Sequence, residues 1–164
     1  MPASATVRNA PDFTLPSMNG AKVNLREALK NGPVLAVFYK VTCPTCQYTI
    51  PFLERIFQKY KTLGVQIWGI AQDPTEAVQR FARQYGATFP MLIDAAPYLA
   101  SKAYSVKFVP TSALITGDGV LRSLFDGFSK PDILALDQFF AQHYALQPTP
   151  LFSPDERVVE FKPG

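Results

Sequence analysis

The chain is poor in the residues that bind metals or staple small folds: its 164 residues include two cysteines and one histidine. A structural zinc site wants four ligands, usually Cys and His, so one such chain alone does not supply it. No apolar run is long enough to cross a bilayer. The basic residues are scattered and the net charge is only +3, which leaves no Lys/Arg block for nucleic acid or for a charged membrane surface. Residues 1–8 lack the charged start and apolar stretch of a secretory leader. The expected location is therefore cytoplasmic, or periplasmic or secreted if a leader has been removed. No internal repeat or low-complexity segment is evident.

What remains fits one packed domain, since 48% of the residues are hydrophobic and 13% aromatic, ample for a single core. The expected boundaries are a domain over residues 1–144 and a tail over 145–164, where Pro148, Pro150, Pro154 and Pro163 crowd the sequence. That tail is expected to wrap the domain or fray, with only 158–161 resembling a strand.

The two cysteines stand three apart in Val41-Thr42-Cys43-Pro44-Thr45-Cys46. An apolar run over 34–39, bounded by Gly32-Pro33, predicts a strand buried on both faces. It delivers the chain to Cys43, where a helical pattern begins. A cysteine at a helix N-terminus faces unpaired N–H groups and the positive end of the helix dipole, which favour its anion. Cys43 is thus the expected attacker. Cys46 shares the stripe of Ile50, Leu53, Phe57 and Tyr60, so it should face inward as the resolving partner. Pro44 suits the first helical position, and Pro51 should bend the helix axis.

Around this turn the pattern predicts two short strands flanking residues 16–20, a short helix over 26–30, a strand over 65–71 and a helix over 74–85. Asp73 is the expected cap of that helix, with a proton-relay role for the dithiol as the lesser alternative. A strand over 91–93 follows, then a short helix over 98–104, a hairpin of 112–115 with 120–125, and a closing helix over 133–140. Strands alternating with helices make an α/β fold.

Three readings of the cysteines stay open: a redox-active dithiol, a structural disulfide, and a metal site shared between chains. A short loop yields little entropy when closed, and a reducing cytosol rarely supports structural disulfides, so exchange chemistry is the first expectation.

Strand, Cys-x-x-Cys, proline-containing helix and later Val109-Pro110-Thr111 before a hairpin resemble the thioredoxin-like superfamily over roughly residues 10–142. Ala10-Pro11-Asp12-Phe13-Thr14-Leu15, Gly69-Ile70-Ala71-Gln72-Asp73, Tyr85-Gly86-Ala87-Thr88-Phe89-Pro90 and Asp118-Gly119 resemble its redoxin branch, the alkyl hydroperoxide reductase and thiol-specific antioxidant relatives. The resemblance implies a central mixed sheet flanked by helices, an N-terminal hairpin extension and an inserted helix and strand.

It also implies a thiol-disulfide oxidoreductase with Cys43 as nucleophile, Cys46 as resolver and Pro110 as a cis-proline facing them. Thr42, Pro44, Thr45, Val109 and Pro110 are the implied substrate contacts, with Val109 free to pair with an extended segment. Implied partners are a protein or small-molecule disulfide or dithiol and an external thiol reductant or oxidant. No metal or organic cofactor, nucleic acid or membrane segment is implied. Alternatives are a peroxiredoxin-like peroxidase, for which Arg122 would have to complete the site, and a binding module without catalysis. Lys40 and His143 are expected to be ordinary surface residues, and Phe108 either core or substrate rim.

Overall fold

The computed structural model describes residues 8–164. Its centre is a five-stranded mixed sheet in the order β5-β4-β3-β6-β7. β3 (Val34–Tyr39) pairs in parallel with β4 (Gln66–Ala71), which pairs in parallel with β5 (Met91–Ile93). β6 (Thr111–Ile115) runs antiparallel to β3 and forms a hairpin with β7 (Leu121–Asp126). The parallel pairs are joined by α2 (Pro44–Tyr60) and α3 (Thr75–Tyr85), because parallel neighbours need a crossover.

All six residues of β3 are buried, and successive side chains point to opposite faces. Leu35, Val37 and Tyr39 enter a core with Cys46, Ile50, Leu53 and Ile56 of α2 and with Ile133 and Phe140 of α5 (Lys130–His143). Val34, Ala36 and Phe38 face a second core containing Phe13, Trp68 and Tyr104. That side is covered by α1 (Leu25–Leu29), α4 (Leu99–Ala103) and the hairpin of β1 (Thr14–Pro16) with β2 (Lys22–Asn24). The N-terminal stretch also touches both ends of the main sheet, through bridges Asn9 to Val120 and Ser17 to Leu92.

α2 runs through Pro51 as one helix, with no N–H there to reach Gln47. Two expectations change. Asp73 does not cap α3, whose N-cap is Pro74 with no side-chain bond; its carboxylate accepts instead from the Val41 N–H at 3.2 Å. The closing helix begins earlier than the apolar pattern indicated, at Lys130, because Ser129 caps it by accepting from the Asp132 N–H at 3.3 Å.

The tail wraps. Leu151 is buried and Phe152 packs edge-on to Phe52 at 5.3 Å between ring centres. Arg55 and Glu156 form a two-pronged pair, with 2.7 and 2.5 Å hydrogen bonds. β9 (Phe161–Lys162) then pairs antiparallel with β8 (Phe128–Ser129), sharing Phe161 with the stretch that looked strand-like and ending one residue past it.

Candidate active site

β3 ends where the dithiol turn begins, and the turn is held by main-chain groups. The Cys43 N–H donates to the Lys40 carbonyl at 3.2 Å. The Gln47 side-chain amide donates to the Val41 carbonyl at 2.9 Å, and the Val41 N–H is fixed by Asp73. These bonds set the entry of the chain into α2, with Cys43 at its N-cap and Pro44 at its first position, where a missing N–H costs nothing.

The two thiols are free and sit differently. Cys43 is half-buried. Its Sγ receives the Cys46 N–H at 3.2 Å and its S–H donates to the Val109 carbonyl at 3.4 Å. Cys46 is 0% exposed. Burial pushes the Cys46 thiol well above its ordinary pKa, and the hydrogen bond to Cys43 pushes the same way; a backbone hydrogen bond at Lys40 opposes them, and the charges of Cys43 and Asp73 raise it further. Tyr39, also raised chiefly by burial and then by Asp73 and Cys46, donates its hydroxyl to Met91 Sδ at 3.3 Å. Asp73 therefore bears on the buried thiol both through its charge and through Val41.

Val109-Pro110 is a cis peptide, and it lies against Cys43 although 66 residues separate Val109 from that sulfur in sequence. Pro110 is buried and Val109 half-buried. Thr42 and Pro44 are exposed beside Cys43. Thr45 is buried, and its hydroxyl donates to the Pro163 carbonyl at 2.6 Å. Lys40 and His143 are exposed, and Phe108 is 58% exposed near the site. Among the described residues no cluster of three or more His, Cys, Asp or Glu is placed to hold a metal ion, and no helix is long and apolar enough to cross a membrane.

The chain that carries this geometry is similar to several known proteins. The AhpC/TSA family model matches residues 7–124. The chain belongs to the AhpC/TSA family. Within reach of it are thiol-disulfide oxidoreductases ResA: one from Bacillus cereus is 36% identical over 113 residues, 68% of this chain and 64% of the relative. The ResA of Geobacillus kaustophilus is 32% identical over 133 residues, covering 80% and 75%. The chain thus spans about 64% of the length of the first of these relatives. Among solved structures, a putative thiol:disulfide interchange protein DsbE from Chlorobium tepidum superposes with a TM-score of 0.73 at 31% identity, over 84% of this chain and 96% of that one. The fold is thioredoxin-like, as the sequence resemblance implied.

In this AhpC/TSA frame, the structure brings together Cys43, Cys46, Val109 and Pro110 of the expected residues. Arg122 is not among them. It is exposed on β7, where its charge acts on Asp118 at the hairpin tip; the partners of the Cys43 sulfur are the Cys46 N–H and the Val109 carbonyl. Sequence reasoning missed the arrival of Pro163 at the dithiol turn and the anchoring of Val41 by Asp73. Neither has a local signal. The only hint was β-propensity near the end of the tail, which does not say where that strand pairs.

Proposed function

We propose that this chain is a thiol-disulfide oxidoreductase, with Cys43 as nucleophile and Cys46 as resolver. The observation that carries the reading is the contrast between the two sulfurs: Cys43 is accessible beside the cis-proline, whereas Cys46 is buried with its thiol held protonated. Names of relatives point the same way.

The cycle balances within the dithiol and its substrate. The Cys43 thiolate attacks one sulfur of a disulfide, the substrate S–S bond breaks, and the departing thiolate takes a proton. Cys46 then gives up its proton and attacks Cys43 Sγ; the mixed disulfide breaks, the second substrate thiolate leaves, and Cys43–Cys46 forms. In this proposal that proton passes to water or to Asp73, whose carboxylate is held at the Val41 N–H beside the dithiol turn. Two electrons pass from the dithiol to the substrate, and an external thiol reductant restores the pair. Run backwards, the same steps oxidise a substrate dithiol.

Thr42, Pro44, Val109 and Pro110 are the substrate contacts in this reading, supported by their places around Cys43. Thr45, the fifth expected contact, is buried with its hydroxyl spent on the Pro163 carbonyl and offers no open surface to a substrate. Residues 1–144 are the catalytic unit of the proposal and 145–164 its appended tail. A cytoplasmic setting belongs to the same proposal, with a periplasmic or secreted one as its alternative; thiol trapping in fractionated cells compares the two.

The test replaces one sulfur at a time. Cys46→Ser should accumulate mixed disulfides through Cys43, and Cys43→Ser should form none; mass spectrometry finding the adduct on Cys46 instead would reverse the roles. Peroxide consumption measured on the same sample separates the peroxidase alternative, which requires it to outpace disulfide reduction. Loss of both activities in intact protein leaves the binding module.

A further inference from the structure

The end of the tail lies where an incoming polypeptide would have to lie. A segment that binds by strand addition pairs with main-chain N–H and C=O groups, and the carbonyl that lies against Cys43 belongs to Val109. Gly164 approaches Val109 so closely that a Cβ at 164 would overlap the Val109 carbonyl oxygen and come within 3.4 Å of its nitrogen. That carbonyl oxygen is the one 3.4 Å from Cys43 Sγ. One residue earlier, the Pro163 carbonyl accepts from Thr45 at 2.6 Å in the first turn of α2.

The seat beneath the tail is shaped to receive it. Gly127 has φ of 73°, a left-handed conformation that glycine adopts without steric cost. A Cβ there would meet the Lys162 carbonyl oxygen at 2.7 Å and Pro163 Cα at 3.5 Å. The β8–β9 ladder and the Lys130 N–H, which donates to the Glu160 carbonyl at 2.9 Å, complete the attachment.

We infer that residues 160–164 occupy the polypeptide edge beside Cys43, so that the dithiol selects low-molecular-weight disulfides over extended protein segments. This rests on the thiol-disulfide exchange proposed above and names its substrate class. A small disulfide needs only a line to Cys43 Sγ, past exposed Thr42 and Pro44. A polypeptide must first lift the tail from Val109. The tail's hold is short: Phe161 is 60% exposed, and the Lys130–Glu160 ion pair is 3.9 Å long with Glu160 largely in solvent. It therefore discriminates by degree.

The test compares the full chain, a form lacking residues 160–164, and Gly164→Ala, whose added methyl must push the end off Val109. Each reduces two probes, dithiobis-nitrobenzoate and a pair of extended peptides joined by a disulfide. Deletion should raise the peptide rate about tenfold, equivalent to about 1.4 kcal/mol, while leaving the small-disulfide rate unchanged. Gly164→Ala should move in the same direction. Rates on both probes that stay fixed, or rise together, overturn the inference and leave the exchange reading intact. No reduction of either probe by any of the three proteins refutes the exchange reading itself.

Discussion

Titration of the reduced protein should reveal the buried thiol as a loss of stability in alkali. Cys46 has no exposed surface, and burial is the first cause of its raised pKa. In the unfolded chain the same thiol ionises at about pH 8.5. Above that value the unfolded state has released a proton that the native state keeps, so the unfolded state binds fewer protons and stability falls as pH rises. One proton gives a slope approaching about 1.4 kcal/mol per pH unit, or about 2 kcal/mol accumulated between about pH 8 and pH 10.

Cys46→Ala removes this contribution. The tyrosines raised by burial, Tyr39, Tyr60, Tyr104 and Tyr144, are present in both proteins and cancel to first order, as does the rest of the chain. Urea unfolding under a non-thiol reductant, at half-unit steps of pH, measures the difference. The wild type should lose its margin over the variant steadily up the series. A constant gap between the two proteins would refute the claim that Cys46 is held protonated, and with it the assignment of roles by burial.

Two further substitutions test how the frame around the dithiol is held. Gly69→Ala should destabilise the domain by about 1–3 kcal/mol, because the new methyl would overlap Met91 Sδ and stand 2.9 Å from Tyr39 Cε1; an unchanged urea midpoint would show that this part of the core has slack. Asp137 accepts from the Lys59 ammonium and the Tyr60 hydroxyl, each at 2.8 Å, so Asp137→Leu should cost about 1–3 kcal/mol by removing a charged acceptor, leaving Lys59 the Thr149 carbonyl and Tyr60 the main-chain carbonyl of residue 137. Thermal melts check it, and a wild-type melting temperature would remove Asp137 from the list of ties between α2 and α5.

The parts of this molecule that were legible in sequence are those whose burial is decided locally or by a repeating pattern. Residues 34–39 form β3 without a shift of boundary because an unbroken apolar run has one stable place, inside a sheet covered on both faces. The dithiol turn was legible for a related reason: Pro44 and the apolar stripe fix both where α2 starts and which sulfur turns inward. Asp73 was misjudged because Asp before Pro is the usual signature of a cap, and only the parallel pairing of β3 with β4 brings that carboxylate to Val41. The tail's course was illegible since its anchors, Tyr48, Arg55 and Gly127, lie far back in the chain. Pairing over such distances is chosen by the assembled surface, not by the strand's own composition.

The two bridges made by the N-terminal stretch matter wherever copies of this chain meet in crowded solution. An open sheet ends in two rows of unpaired amides and carbonyls, which invite a neighbour's strand and seed fibres. Here Leu121 donates to the Arg8 carbonyl and Ala10 to that of Gly119 at the β7 end, while Met18 donates to the Met91 carbonyl at the β5 end, each at 2.8 Å. One segment thereby occupies main-chain groups at the start of β7 and along β5 that would otherwise be offered to a neighbour's strand.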